Sequence, residues 1–207
     1  MTQDSSYLTL AQNIENEEVI KASRFIAYID KVLSVEEAMA RLESIRLAHP
    51  SANHHCWAYR IRGEYRFSDD GEPGGTAGKP IYEVLNRRGL ERIQAIVVRY
   101  FGGIKLGAGG LVRAYSGTVA KALEQATFSE VKPHIRLSFH IPFTLMDSVH
   151  RFLADRSLAA KDIDYDAEGM FFSLELLLGL ERAFELSLSD LTRGQAQLLA
   201  SEQLALD

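Results

Sequence analysis

Cysteine is almost absent from this chain of 207 residues, with Cys56 the only one. A single thiol excludes an intramolecular disulfide and every zinc motif built on paired cysteines. Long apolar runs are also missing, and none approaches the ~20 residues that a membrane-spanning helix needs. The residues after Met1 (Thr2, Gln3, Asp4, Ser5, Ser6) have neither the basic segment nor the apolar segment of a signal peptide. These absences point to the cytoplasm, with no membrane association. They give no reason to expect a bound metal or cofactor. Positive charge is in deficit, 23 Lys and Arg against 28 Asp and Glu, for a net −5. That balance argues against a protein coated all round for nucleic acid. No repeat of 20–50 residues is visible.

What is present is ordinary globular material, 46% hydrophobic and 25% charged. The length suits one large domain or two small ones. Charge is unevenly placed: residues 50–125 hold 11 basic and 7 acidic side chains, and the remainder holds 12 and 21. A mildly basic centre therefore sits in an acidic chain, either as a binding surface or as solvated helix faces.

Hydrophobic spacing suggests a strand in residues 7–20 and another over 25–33. Ser34 and Glu37 form a capping box that opens a helix running to about Ala48, before Pro50. Residues 52–61 read as a strand, with His54, Cys56 and Ala58 on one side and Trp57, Tyr59 and Ile61 on the other. The loop Asp69–Pro80 leads to a helix over 81–88, stopped by Gly89. A buried strand over 93–100 follows, then a glycine-rich loop and a helix over 111–127. Pro133 marks a boundary, which divides the chain into domains of residues 1–130 and 131–207. The second reads strand 134–141, helix 144–156, strand 159–165, strand 170–178, helix 180–192 and strand 195–205. That order is the ferredoxin-like split unit, and Phe139, Phe143, Phe171 and Phe172 are expected in its core.

Two glycine loops invite a nucleotide reading. The string GGTAGKP fails as a Walker loop, because Pro73 stands where its first glycine belongs and Pro80 where Ser or Thr should follow Lys79. The dinucleotide fingerprint fails at Val112, where the third glycine would fall after Gly107 and Gly109. The second loop still has chemical promise. It joins a strand to a helix through Gly102, Gly103, Gly107, Gly109 and Gly110, with Arg99 before it and Lys105 and Arg113 within and beyond it. Backbone lacking Cβ admits close approach, and a helix N-terminus presents unpaired N–H groups. The pattern fits an anion site for a phosphate-containing ligand, with Lys79 a further cationic candidate. It equally fits glycines that serve tight turns alone.

His54 with Asp69, Asp70 and Glu72 forms the catalytic candidate, since carboxylates beside an imidazole can move protons or hold a divalent metal. Asp69-Asp70-Gly71 also reads as an ordinary turn. His55 falls on the opposite face of its strand from His54, which disfavours a paired metal site. Cys56 reads as a small packed hydrophobe rather than a nucleophile.

In combination the motifs become specific. Ala52, His54, Ala58 and Tyr59 are followed by SDDGEPGGTAGKP (Ser68–Pro80) and then by RYFGGIKLGAGGLVRAY (Arg99–Tyr115). In this order they resemble the YigZ branch of the YigZ/IMPACT family. The resemblance implies an α+β protein. Its N-terminal domain would be ribosomal-protein-S-five domain-2-like, with a left-handed β-α-β connection. Its C-terminal domain would be ferredoxin-like, similar to the last domain of elongation factor G. Eukaryotic relatives regulate translation in amino-acid starvation, through an N-terminal interaction domain that has no counterpart in the roughly 20 residues before the match. Their starvation-pathway partner is therefore not carried over. Gly74 stands where bacterial members commonly have Ser, so Thr76 is the remaining hydroxyl of that loop.

Three functions follow as expectations. The first is a translation-associated binding module contacting RNA or the ribosome through the basic glycine-rich surface. The second is an enzyme on a small phosphorylated or anionic metabolite, with His54 and the Asp69–Glu72 loop in its site. The third is a regulator acting through a protein partner without catalysis.

Overall fold

A computed structural model describes residues 6–204, in two compact units divided between Val131 and Lys132. The first contains β1 (Tyr7–Leu10), β2 (Ile14–Ile20), β3 (Ser23–Lys31), α1 (Val35–Ala48), β4 (His54–Ile61) and β5 (Glu64–Ser68). It continues with α2 (Gly78–Arg87), β6 (Ile93–Tyr100), α3 (Ala108–Glu124) and β7 (Phe128–Val131). Five strands form an antiparallel-bonded sheet in the order β2-β3-β6-β4-β5, while β1 and β7 pair separately. Central β6 reads IQAIVVRY and is buried at every position before Tyr100. Such continuous burial requires helices on both faces. One face packs Ile26, Trp57, Tyr59, Ile96 and Val98 against α1 through Ala38, Leu42 and Ile45. The other packs Phe25, Cys56, Ala58 and Val97 against α2 and α3.

This arrangement fixes the handedness of the crossovers. Strands β3 and β4 both run antiparallel to β6 between them, and β5 and β6 both run antiparallel to β4. The crossovers β3-α1-β4 and β5-α2-β6 thus each span one strand, and a half-turn in the sheet plane brings one onto the other. Their helices lie on opposite faces, so their hands are opposite. One of the two is the left-handed β-α-β connection, against the strong right-handed preference of such units.

Several boundaries differ from the sequence reading for physical reasons. The capping box forms, with Ser34 Oγ accepting from Glu37 N at 3.2 Å, but Glu37 reaches back to the N–H of Leu33 rather than of Ser34. Helix α2 begins at Gly78, before Pro80. Proline is harmless there, because its missing N–H lies in the first turn. Helix α3 begins at Ala108, which moves Gly109 and Gly110 from the loop into its first turn. Strand β5 was not expected. Its residues are largely exposed, so hydrophobic spacing is weak, yet the Arg62–Gly63 turn with φ of 52° and 81° is a two-residue hairpin.

The second unit contains β8 (His134–Pro142), a 3-10 turn at Phe143–Leu145, α4 (Met146–Ala154), β9 (Lys161–Tyr165), β10 (Gly169–Leu177), α5 (Glu181–Thr192) and β11 (Gln197–Gln203). Its sheet order β11-β8-β10-β9 is the ferredoxin-like arrangement, with both helices packed on one face. Phe139 and Phe172 are core residues. Phe143 and Phe171 are not. Phe143 is exposed beside Tyr165, and Phe171 packs its ring on His140 at 4.6 Å. Phe171 pairs with His140 on the sheet surface opposite the core, where the two-residue period places it. Among the described residues, no helix is long and apolar enough to cross a membrane.

Candidate functional site

The acidic triplet divides its work. Asp69 turns inward: its Oδ1 accepts from the N–H groups of Ala77 and Gly78 at 2.9 and 2.8 Å, and its Oδ2 from Gly75 at 2.8 Å. The carboxylate thus satisfies the N-terminus of α2, where donors would otherwise be unpaired. Asp70 clamps the loop to β4, accepting from the N–H of His55 at 2.7 Å and from Arg46 at 3.3 Å. Both carboxylates are committed to the fold. Glu72 alone enters a cleft.

That cleft has a volume of about 500 Å³, and its walls come from the end of β6, the start of β4 and the first turn of α3. Glu72 and Arg99 line it and are 8% and 5% exposed. Arg99 Nη1 donates to Glu72 Oε1 at 2.5 Å, and the Tyr115 hydroxyl donates to the same oxygen at 2.7 Å. Two buried charges are tolerable only when paired and hydrogen-bonded in this way. Arg99 Nε has no acceptor among the described residues, and the guanidinium lies over the rings of Phe25 and Phe101 at 5.4 and 5.5 Å. Below Tyr115, Cys56 Sγ lies 3.3 Å from the hydroxyl and 3.0 Å from the Asp69 carbonyl. Burial pushes both the Cys56 thiol and the Tyr115 phenol well above their ordinary values. Cys56 is therefore a neutral thiol and not a nucleophile.

His54 has a defined orientation. Its Nδ1 lies 2.8 Å from the Asp70 carbonyl oxygen, which can only accept, so Nδ1 carries a proton. Nε2 then faces the cleft, 3.8 Å from Glu72 Oε1. His55 lies on the far face with Asp70 Oδ2 3.9 Å from its Nδ1, and burial lowers its pKa. The two histidines do not converge. Among the described residues, no group of three His, Cys, Asp or Glu side chains is placed to hold a metal.

The glycines also separate into roles. Gly102 is closed in: a Cβ there would lie 2.0 Å from the Ala22 backbone, and its N–H donates to Ser23 Oγ at 3.1 Å. Gly103 and Gly107 adopt φ of 87° and 70°, which favours glycine. Gly107 caps α3 without any side-chain hydrogen bond, and no acidic residue occupies the first turn, where Ala108, Gly109 and Gly110 lie. This N-terminus opens on the cleft through Gly107 and Ala108. Lys105 lines the same cleft and makes no ion pair among the described residues. Arg113 and Lys79 are exposed and do not line it. Gly74 has open space around it, and the Thr76 hydroxyl donates to the Pro73 carbonyl at 2.6 Å, so no hydroxyl of this loop is delivered to the cleft.

Three contributors escaped sequence reading. Asn53 lines the cleft and accepts from the N–H of Phe101 at 2.7 Å, Phe101 lines it as well, and buried Tyr115 holds the Glu72 carboxylate through its hydroxyl. The spacing of Tyr115, four residues after Leu111 on a helical face, marks it as buried. Nothing local marks Asn53.

The α+β architecture with its opposed pair of crossovers defines the class by fold, and similarity to known proteins agrees. The Impact N-terminal domain matches residues 21–123. The chain is 46% identical over 178 residues to an IMPACT family member of Thermus thermophilus, covering 86% of this chain and 97% of that one. It is 40% identical to the IMPACT family member YigZ of Escherichia coli, covering 96% of this chain and 99% of the relative. A crystal structure of a hypothetical protein, 39% identical, superposes with a TM-score of 0.65 over 95% of this chain and 97% of the other. This chain belongs to the IMPACT family.

Proposed function

We propose that this protein is a translation-associated binding module that takes RNA phosphates into the cleft between β4, β6 and α3. The observation that carries the reading is the meeting of an uncapped helix N-terminus with Lys105, a cation without a carboxylate partner among the described residues, in one concave surface. Arg99 is already neutralised by Glu72, so Lys105 and the amides of α3 supply the positive potential. Translation as the setting rests on the resemblance of the two domains to ribosomal and elongation-factor folds, which is analogy and not chemistry.

The test is RNA binding at low and moderate salt. Affinity that falls with salt, and falls further in Lys105→Ala than in Arg113→Ala, supports the cleft as the phosphate site. Absence of binding at low salt, or equal loss in both variants, contradicts it. A second reading is favoured by one feature, the fixed His54 tautomer with Nε2 aimed into the cleft. This is the geometry of a proton acceptor for a small phosphorylated substrate. It requires turnover of such a compound that disappears in His54→Gln.

A further inference from the structure

We infer that the cleft selects single-stranded RNA by stacking a base on Phe101, an assignment that rests on the phosphate-binding reading above. Phe101 is 46% exposed and lines the cleft beside Lys105 and the start of α3. A large exposed aromatic on a mobile loop would be unremarkable, but this backbone is held on both sides. The N–H of Phe101 donates to Asn53 Oδ1 at 2.7 Å, and the N–H of Gly102 donates to Ser23 Oγ at 3.1 Å. Asn53 is itself fixed by its N–H bond to the Arg99 carbonyl at 2.9 Å. Gly102 is pinned against the Ala22 backbone, where no side chain fits. The ring is thus presented to solvent by an anchored main chain. That costs apolar exposure and brings no core packing.

The Arg99 guanidinium lies 5.5 Å from the ring centroid, giving the aromatic a cationic neighbour within the cleft wall. A flat π surface adjoining a phosphate-receptive helix terminus matches one nucleotide: base on the ring, phosphate on the amides and Lys105. Stacking of this kind tolerates any base, because every base has a π face. A duplex keeps its bases stacked on one another and cannot offer one to the ring.

The experiment uses the full chain and three ligands: a single-stranded RNA of about eight nucleotides, within the ~4–16 that small single-strand-binding folds cover, the same ribose-phosphate chain with abasic sites, and the duplex. The wild type is expected to bind the single strand about 10-fold more tightly than the abasic chain. In Phe101→Leu, which keeps an apolar cover over Arg99, the two ligands should bind alike with an unchanged salt dependence. Phe101→Tyr should retain the preference. Equal wild-type affinity for the abasic and normal strands overturns stacking and leaves phosphate binding standing. Stronger binding to the duplex also overturns it. Failure to bind any of the three removes the phosphate reading and this inference with it.

Discussion

The two glycine-rich loops of the N-terminal unit are built alike and end differently. Each follows a strand, each carries glycines at positive φ, and each delivers the chain into a helix. In the first, between Ser68 and Gly78, the helix N-terminus is answered from within by Asp69, and Gly78 is pressed onto Ser68, where a Cβ would lie 2.6 Å from backbone atoms. In the second, between Tyr100 and Ala108, the helix N-terminus has no carboxylate or hydroxyl partner among the described residues and opens on the cleft. The difference separates a helix N-terminus satisfied by a side chain of its own loop from one that receives no such acceptor among the described residues. Glycine content alone does not distinguish them; the fate of the helix N–H groups does.

Substitutions can break or sharpen that contrast. The largest effect is expected at Glu72, the one acidic group of the first loop that reaches the cleft. Glu72→Ala leaves the buried Arg99 guanidinium without its counter-charge and should cost ~3–5 kcal/mol in chemical denaturation. Asp69→Ala removes three acceptor contacts from the first loop and should cost about 2 kcal/mol in the same measurement. The corresponding stability contribution from Lys105 in the second loop should be small, so Lys105→Ala stays within ~0.5 kcal/mol of wild type while RNA affinity falls. A stability loss in Lys105→Ala as large as in Asp69→Ala would erase the distinction between the loops.

A pH effect gives a finer test, outside both loops. Burial holds the pKa of His55 below its ordinary 6.5, so the unfolded chain takes up this proton first as pH falls. Stability is therefore fully present above pH 6.5 and declines below it until the folded-state histidine also titrates. Denaturation midpoints measured between about pH 7 and 5 should fall for the wild type. They should fall less steeply for His55→Gln, which cannot take up the proton. An unchanged slope contradicts burial as the cause.

Much of this was legible in the chain. The period-2 pattern of residues 52–61 put His54 and Cys56 opposite Trp57 and Tyr59, and the sheet places them so. The order of the C-terminal elements gave a ferredoxin-like unit, which the strand order bears out. What sequence could not rank was the acidic triplet. Asp69, Asp70 and Glu72 are near neighbours of one chemical type, and only the turn at Asp70 (φ 44°) and Gly71 (φ 86°) sends their carboxylates to three different partners. Asn53 and Phe101 stayed hidden for a related reason. Their bond spans 48 residues and exists only once β4 and β6 pair.

The most direct measurement is an amide chemical-shift titration of the protein with a short single-stranded RNA at low salt. The account predicts large shifts at the N–H groups of Ala108, Gly109 and Gly110, with Lys105 and Phe101 beside them, and little change at Ala77 and Gly78. Shifts concentrated at Ala77 and Gly78, or confined to residues outside the cleft, would contradict it.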